Sequence, residues 1–544
     1  MSGGTAIYTI AYAYDAADEL LTASDPDSSY TFTYDGDGDA LTADNNGTPG
    51  VPDVILTSVY DSMGDRTSLS AAIAGVQDFA NTYVYDADQR LTVVQQQSQT
   101  GGNAVAQKEV DFAYNALAKP TSVSYYNYIG VGPRTDVATG VSTYDAGNRL
   151  IGLAYTAAGG TIQIDSFGWG YDNADNVISF ASNAGAATYS HDNTNQVTGA
   201  SYTGTNQPTN ESYSYDSNGN RTNTGYSTGT NNQLTSDGTF NYTYDAEGDR
   251  TSRTRISTAY ATDYQTTYTW DYRDRLTDVE YFDNNSVLTK HVHYTYGVFD
   301  HLLATEVDTT GGGSYNLVEH YVLDVSPETP QAGVPGTALA QPAFQFDGSN
   351  NLTVRYLEAV DRIFAEGAVS SPTSPDTVTW MLADNLGSVR YVLDNNSNII
   401  DQINYNSFGH VAYESNAAVH HFAGYTGGHV DPNTGLVNDY HRWYDPAAGR
   451  WTSQDPSGFV AADPNLVRYA ENRATSSIDR TGLSPSPSQF SDPVTQAETR
   501  IERPIWEAMQ RAVRSANASA RATDGGKSAG EAAGASKTTG AVKG

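Results

Sequence analysis

A tyrosine followed by an aspartate recurs roughly every 20 to 30 residues along the chain, and a fixed period of that length marks a repeat architecture rather than an ordinary globular domain. The pairs are Tyr14–Asp15, Tyr34–Asp35, Tyr60–Asp61, Tyr85–Asp86, Tyr144–Asp145, Tyr171–Asp172, Tyr215–Asp216 and Tyr244–Asp245. Degenerate copies stand between and after them at Tyr114–Asn115, His191–Asp192, Trp270–Asp271 and Tyr296–Gly297. Each copy has an alternating run such as TFTYD or NYTYD, then a turn of the type DADQR or DAEGDR, then a second short run. Alternation places Phe32 and Tyr34 on one face and Thr31 and Thr33 on the other. The Asp/Gly/Asn turn supplies positive-φ positions and side chains that bond nearby amides, so each copy predicts a β-hairpin in which Tyr packs and Asp ties the turn.

Composition points the same way. The 544 residues include 39 Tyr and 50 Gly against 4 Met, the usage of strands and tight turns. Six acids and eight bases follow Leu483, out of 63 acids and 29 bases in the whole chain, so the net charge of −34 resides in the body before it. A body so acidic has no basic face with which to displace phosphate counterions, which excludes nucleic acid as its partner. With no cysteine, disulfides and thiolate metal sites are excluded. The opening MSGGTAIYTIAYAYDAADEL lacks a basic stretch and an apolar core, and no run long enough to span a bilayer follows; neither a signal peptide nor a membrane span is predicted. The repeats begin within a few residues of the start, as in a fragment or one piece of a longer shell.

Past about residue 340 the pattern changes to FDGSNNLTVRYL, then WMLADNLGSVRYVLDNNSNIIDQINYNSFG, then FAGYTGGHVDPNTGLVNDYHRWYDPAAGRWTSQDPSGF. After Leu483, SPSPSQFSDP reads as a linker. PIWEAMQRAVRSANASARA then predicts an amphipathic helix of about 16 residues with Ile505, Met509, Ala512 and Val513 on one face, and the last stretch is too poor in apolar residues to pack. The expected division is a hairpin shell over 1–340, a distinct core over 341–483 and a variable tail over 484–544.

The repeat resembles the YD repeats of Rhs proteins, teneurins and the C components of insecticidal Tc toxins. The later blocks resemble the Rhs repeat-associated core in Asp384 to Arg390, Phe408–Gly409, Thr434 to Pro446, Gly449 to Pro456 and the closing Asp479, Gly482 and Leu483. The resemblance implies an all-β fold: a spiralling ribbon of hairpins forming a hollow shell or cup, closed by the core. It implies that the core cuts its own chain after the closing Leu, here Leu483–Ser484, and leaves the tail inside as cargo. Asp455 and Asp479 match the family's carboxylate pair and Arg442 its neighbouring basic residue, a constellation for at most a single-turnover, intramolecular aspartyl autoprotease. Two close carboxylates cannot both ionise readily, so one is held as acid while the other serves as base, and a fixed guanidinium offsets charge at the scissile carbonyl. Asp-Pro and Asp-x-x-Gly are also ordinary turn formers, and Arg442 could instead pair with Asp445. The sequence departs from the family pattern at Arg480, where proline is usual, at Val467, where Tyr is common, and in the step Val-Ala-Ala-Asp-Pro after the Asp455 block.

No cofactor or metal is expected. The acidic turn Asp35 to Asp39 could hold Ca²⁺ but lacks the twelve-position loop and its bidentate Glu, and His420, His421, His429 and His441 lack a helical pair with an acid ligand. A partner shell chain or a missing N-terminal segment would finish a cavity that about 480 residues leave small. A secreted or cell-surface location is implied. Two other readings stay open: an adhesive surface protein whose exposed aromatics stack on glycans or another cell-surface ligand, and a self-assembling filament or lattice subunit.

Overall fold

A computed structural model describes residues 9–128, 132–160, 162–258, 262–325, 340–461, 463–483 and 485–487. The expected tail helix, the low-complexity end and Ser484 lie outside the described residues. The fold is all β, as expected. A 17-stranded antiparallel sheet runs from Ala11–Tyr14 to Glu211–Ser212, and a 16-stranded sheet from Tyr226–Thr228 to Val411–Glu414, with consecutive strands paired as a meander. A four-stranded sheet (His429–Val430, Val437–Asp439, Arg442–Asp445, Arg450–Trp451) and a two-stranded one (Ser477–Ile478, Ser486–Pro487) follow. No helix among the described residues is long and apolar enough to cross a membrane.

The repeat is one turn used again and again. In most copies the Asp Oδ1 accepts the backbone N–H groups two and four residues on, as Asp86 does from Asp88 (2.9 Å) and Arg90 (3.0 Å), and Asp145 from Gly147 and Arg149 (both 2.9 Å); Asp245 instead accepts those of Gly248 and Asp249, three and four residues on. The third residue after the Asp takes positive φ: Gly38, Gln89, Asn148, Asp175, Gly219 and Gly248 occupy that place in successive copies. Asp35 binds the amides of Asp37 and Asp39 in this way, so its Oδ1 serves the turn. The core blocks reuse the device. Asp384 accepts from Leu386 and Ser388 ahead of Gly387 at φ +84°, and Asn406 from Phe408 and His410 ahead of Gly409 at φ +83°.

The tyrosine does more than pack. Its hydroxyl donates to a backbone carbonyl at the start of the preceding hairpin's return strand: Tyr34 to Leu20 (2.6 Å), Tyr85 to Arg66 (3.0 Å), Tyr144 to Pro120 (2.7 Å), Tyr171 to Leu150 (2.7 Å), Tyr215 to Val197 (2.7 Å) and Tyr244 to Leu234 (3.0 Å). Where Trp270 replaces Tyr, its indole N–H makes the same strap to Arg250 at 2.7 Å. Ring burial alone would suit Phe; a donor at the ring's far end requires Tyr or Trp. Tyr171→Phe is therefore expected to lower stability by about 0.5–1.5 kcal/mol. The exposed Tyr14, in the first described strand, should tolerate the same change, and parallel denaturant titrations compare the two.

The ribbon coils so that its first part faces its second. Phe79 meets Phe344 at 5.0 Å, Phe112 meets Phe364 at 5.4 Å, and Tyr125 packs edge-on against Trp380 at 6.0 Å, all within one continuous core. Over these residues the inside of the ribbon is filled with side chains. Fully buried Arg355 lies in this layer, paired in bidentate fashion with Asp78 (2.6 and 2.8 Å) and also with Asp376, which Lys108 approaches at 3.4 Å. The four-stranded sheet docks by Trp443, whose ring packs tilted against Tyr294 at 4.4 Å and whose indole N–H donates to the Tyr296 hydroxyl at 2.7 Å, and by Asp445, ion-paired with Arg250 at 2.6 Å.

Candidate active site

The closing block of the core folds back onto the four-stranded sheet. Residues Ser477–Ile478 pair antiparallel with Ser486–Pro487, so the chain turns back on itself across the stretch that carries the expected cut. It is held against the turn between Val437–Asp439 and Arg442–Asp445: the His441 amide donates to the Thr481 carbonyl at 3.3 Å. Gly482 has φ +71°, and a Cβ there would lie 2.7 Å from the Asp439 carbonyl oxygen and 3.0 Å from the Arg442 nitrogen. Only glycine lets the strand approach so closely in that conformation.

Arg442 is the hub. Its side chain is 3 % exposed and every nitrogen has an acceptor. Nε donates to the Gly482 carbonyl, Nη1 to the Leu466 carbonyl at 3.0 Å, and Nη2 reaches Asp479 Oδ2 at 3.2 Å and Asp455 Oδ2 at 2.9 Å. The guanidinium lies over the Trp451 ring, 4.1 Å from its centroid. Asp445, the turn acid that offered a simpler partner, is taken by Arg250 instead. Arg442 thus brings the two expected carboxylates to one nitrogen. Burial pulls its pKa below the usual arginine range, with the charges of Asp479 and Asp455 acting in the opposite sense.

The carboxylates differ in their second contacts. Asp455 Oδ1 accepts the Ser457 amide at 2.8 Å and its hydroxyl. Asp479 Oδ1 accepts the Leu483 amide at 3.1 Å and lies 3.4 Å from the Thr481 hydroxyl. Asp479 therefore holds the residue whose carbonyl would be cut. A cleft of about 290 Å³ is lined by Arg442, Asp455, Asp479, Leu466 and Pro485, among others. The expected bond lies just before one of these lining residues.

One acid here was not expected. Asp439 is 1 % exposed, and neither carboxyl oxygen has a hydrogen-bond partner among the described residues. Burial first, and the charge of Asp479 second, push its pKa well above the carboxylate range. In the sequence it is one of the five residues between Thr434-Gly435-Leu436 and Arg442, where nothing distinguishes it from a surface residue. Of the histidines considered for metal, His429 stacks on Phe422 at 4.1 Å and burial lowers its pKa to about 4.

The reused turn, the tyrosine strap and a core sheet sealed onto the ribbon define a YD-repeat shell. Residues 371–472 match the family model described as teneurin YD-shell. Among curated proteins the chain is 30 % identical to teneurin-3 of Danio rerio over 135 residues, 24 % of this chain and 5 % of that one. It is 42 % identical to the toxin protein Tse5 of Pseudomonas aeruginosa over 59 residues, 11 % of this chain and 4 % of that one. A crystal structure of TcdB2-TccC3-Cdc42 aligns over 88 % of this chain and 30 % of that one, at 15 % identity and a TM-score of 0.49. These matches support an Rhs/YD-repeat shell, to which the chain is similar over the stretches named. Its matched stretch spans only about a twentieth of the curated teneurins' length.

Proposed function

We propose that the chain is the closing part of a toxin-related encapsulating shell, acting outside the cell or at its surface, whose core cuts the polypeptide after Leu483 and so frees the tail as cargo. The observation that carries this reading is Arg442 joining Asp455, Asp479 and the Gly482 carbonyl, with Asp479 binding the Leu483 amide. In the proposed step a carboxylate of this set takes a proton from water as the water oxygen adds to the Leu483 carbonyl carbon. The Arg442 guanidinium offsets the oxyanion, and the Ser484 nitrogen leaves after accepting a proton from an acid. Asp439, buried beside them with its pKa pushed upward, is a candidate for that acid besides the Asp455–Asp479 pair. The functional division remains shell 1–340, core 341–483 and tail 484–544, although the second sheet runs through the first boundary.

Because facing side chains fill the inside of the ribbon between Phe79 and Trp380, a chamber for cargo there would call for further YD hairpins, from the same polypeptide or a partner chain. The strand Ala11–Tyr14, paired on one side with Leu20–Ser24, offers an edge where they would join. N-terminal sequencing of the smaller fragment tests the cut: Ser484 as its first residue supports the reading, and a different first residue overturns the assignment of Asp479 as the residue that positions the bond.

A further inference from the structure

A second constellation lies on the outward face of the second sheet, on three neighbouring strands: Leu276–Phe282, Leu288–Tyr296 and Leu302–Asp308. The register sets Asp278 opposite His293 and Glu306 opposite His293 on its other side, while Glu280 and Asp308 flank His291. Alternation sends Val279, Val292 and Val307 into the core between them and keeps Asp278, Glu280, His291, His293 and Glu306 half-buried on the other face, while Asp308, at the strand's end, is buried. His291 Nε2 and His293 Nδ1 both lie 2.8 Å from the same oxygen, Asp278 Oδ1. One ligand atom from each of the three falls within 4.8 Å of the others, and the side chains are 21–33 % exposed, open enough for an ion to enter.

We infer that Asp278, His291 and His293 form a binding site for a divalent transition-metal ion, Zn²⁺ by its ligand set, that clips two strands of the ribbon together. Two imidazoles and one carboxylate are a recognised zinc donor set, with a fourth position left for water or a nearby carboxylate. Zn–N and Zn–O bonds of about 2.0–2.2 Å place neighbouring tetrahedral ligands slightly over 3 Å apart, so each 2.8 Å imidazole–carboxylate separation need open only by about half an ångström to accept the ion. Tyr315 lies over both rings, at 5.4 Å from His291 and 6.1 Å from His293, with its hydroxyl 3.5 Å from His291 Nδ1, the nitrogen that faces away from the site. Such an outer contact orients a ligating imidazole. Glu280, Glu306 and Asp308 add negative potential that favours a cation over an anion. The clip lies behind the wall that receives the core: Val292 and Tyr294, on the inner face of the same strand, pack in the cluster that includes Trp443.

The alternative is a metal-free His–Asp–His bridge, and binding separates the two. Tag-free protein is dialysed against micromolar Zn²⁺ and its retained metal measured, with Ca²⁺ and Mg²⁺ run alongside. One retained Zn²⁺ per chain, lost in H291Q/H293Q and kept in H410Q, is expected, with little retention of Ca²⁺ or Mg²⁺. Zn²⁺ should also raise the unfolding midpoint of the native chain and not that of the double variant. If H291Q/H293Q fails to fold, D278N, which keeps an acceptor for the rings while removing the charge, should likewise lose the ion. No stoichiometric Zn²⁺ on the native chain, or equal retention by a folded ligand variant, overturns the site.

Discussion

Arg355→Met is expected to destabilise the native chain by about 3–5 kcal/mol, because it strips the partner from buried carboxylates. Asp78 loses two charge-assisted bonds at 2.6 and 2.8 Å, and Asp376 is left with Lys108 at 3.4 Å. None of these side chains has measurable exposure, so water cannot take over. Burial already lowers the Lys108 pKa to about 8, despite Asp376, so lysine is a poor substitute source of charge at alkaline pH. The pair also joins the strand Val76–Tyr85 to Leu352–Ala359, residues 277 positions apart, and its loss loosens the contact between the two layers of the ribbon. Adding Asp78→Asn to Arg355→Met should restore part of the stability, since it removes the uncompensated charge. Denaturant unfolding followed by tryptophan fluorescence reads both, Trp380 being buried in the same layer. A loss under about 1 kcal/mol for Arg355→Met would mean that the layers do not depend on this pair.

Arg442→Lys is expected to slow self-cleavage by about 10²–10³-fold, the cost of removing one positioned electrostatic donor from a developing oxyanion. Lysine keeps the charge but cannot reach Gly482, Leu466 and two carboxylates at once from one planar group. Arg442→Met should abolish cleavage and also destabilise the core, since Asp455 and Asp479 would remain buried without their cation. The lysine variant is therefore the informative one: folded by circular dichroism, yet slow when fragment yield is followed over time. Cleavage by Arg442→Lys at the native rate would show that the guanidinium only props the closing block.

Much of this was legible in the chain. Period and alternation define hairpins, and the Asp in each turn reads correctly because its contacts are local, two and four residues away. The tyrosine strap was not legible, since its acceptor is a backbone carbonyl of the preceding hairpin and carries no sequence mark. Arg442, Asp455 and Asp479 could be named from the resemblance alone, but their meeting at one nitrogen depends on how the closing block folds back, which composition and spacing do not determine. Asp439 escaped notice for the same reason: burial, not residue type, makes it unusual. The Asp278–His291–His293 group escaped because its members come together only through the pairing of two strands, whereas the neighbouring His420 and His421 drew attention by adjacency.

The most direct test of the central claim is the intact mass of purified, fully denatured protein beside an Asp455→Asn/Asp479→Asn variant. Cleavage by this site predicts two masses from the native chain, corresponding to residues 1–483 and 484–544, and one full-length mass from the variant. A single full-length mass from both, or the same two fragments from both, would contradict it.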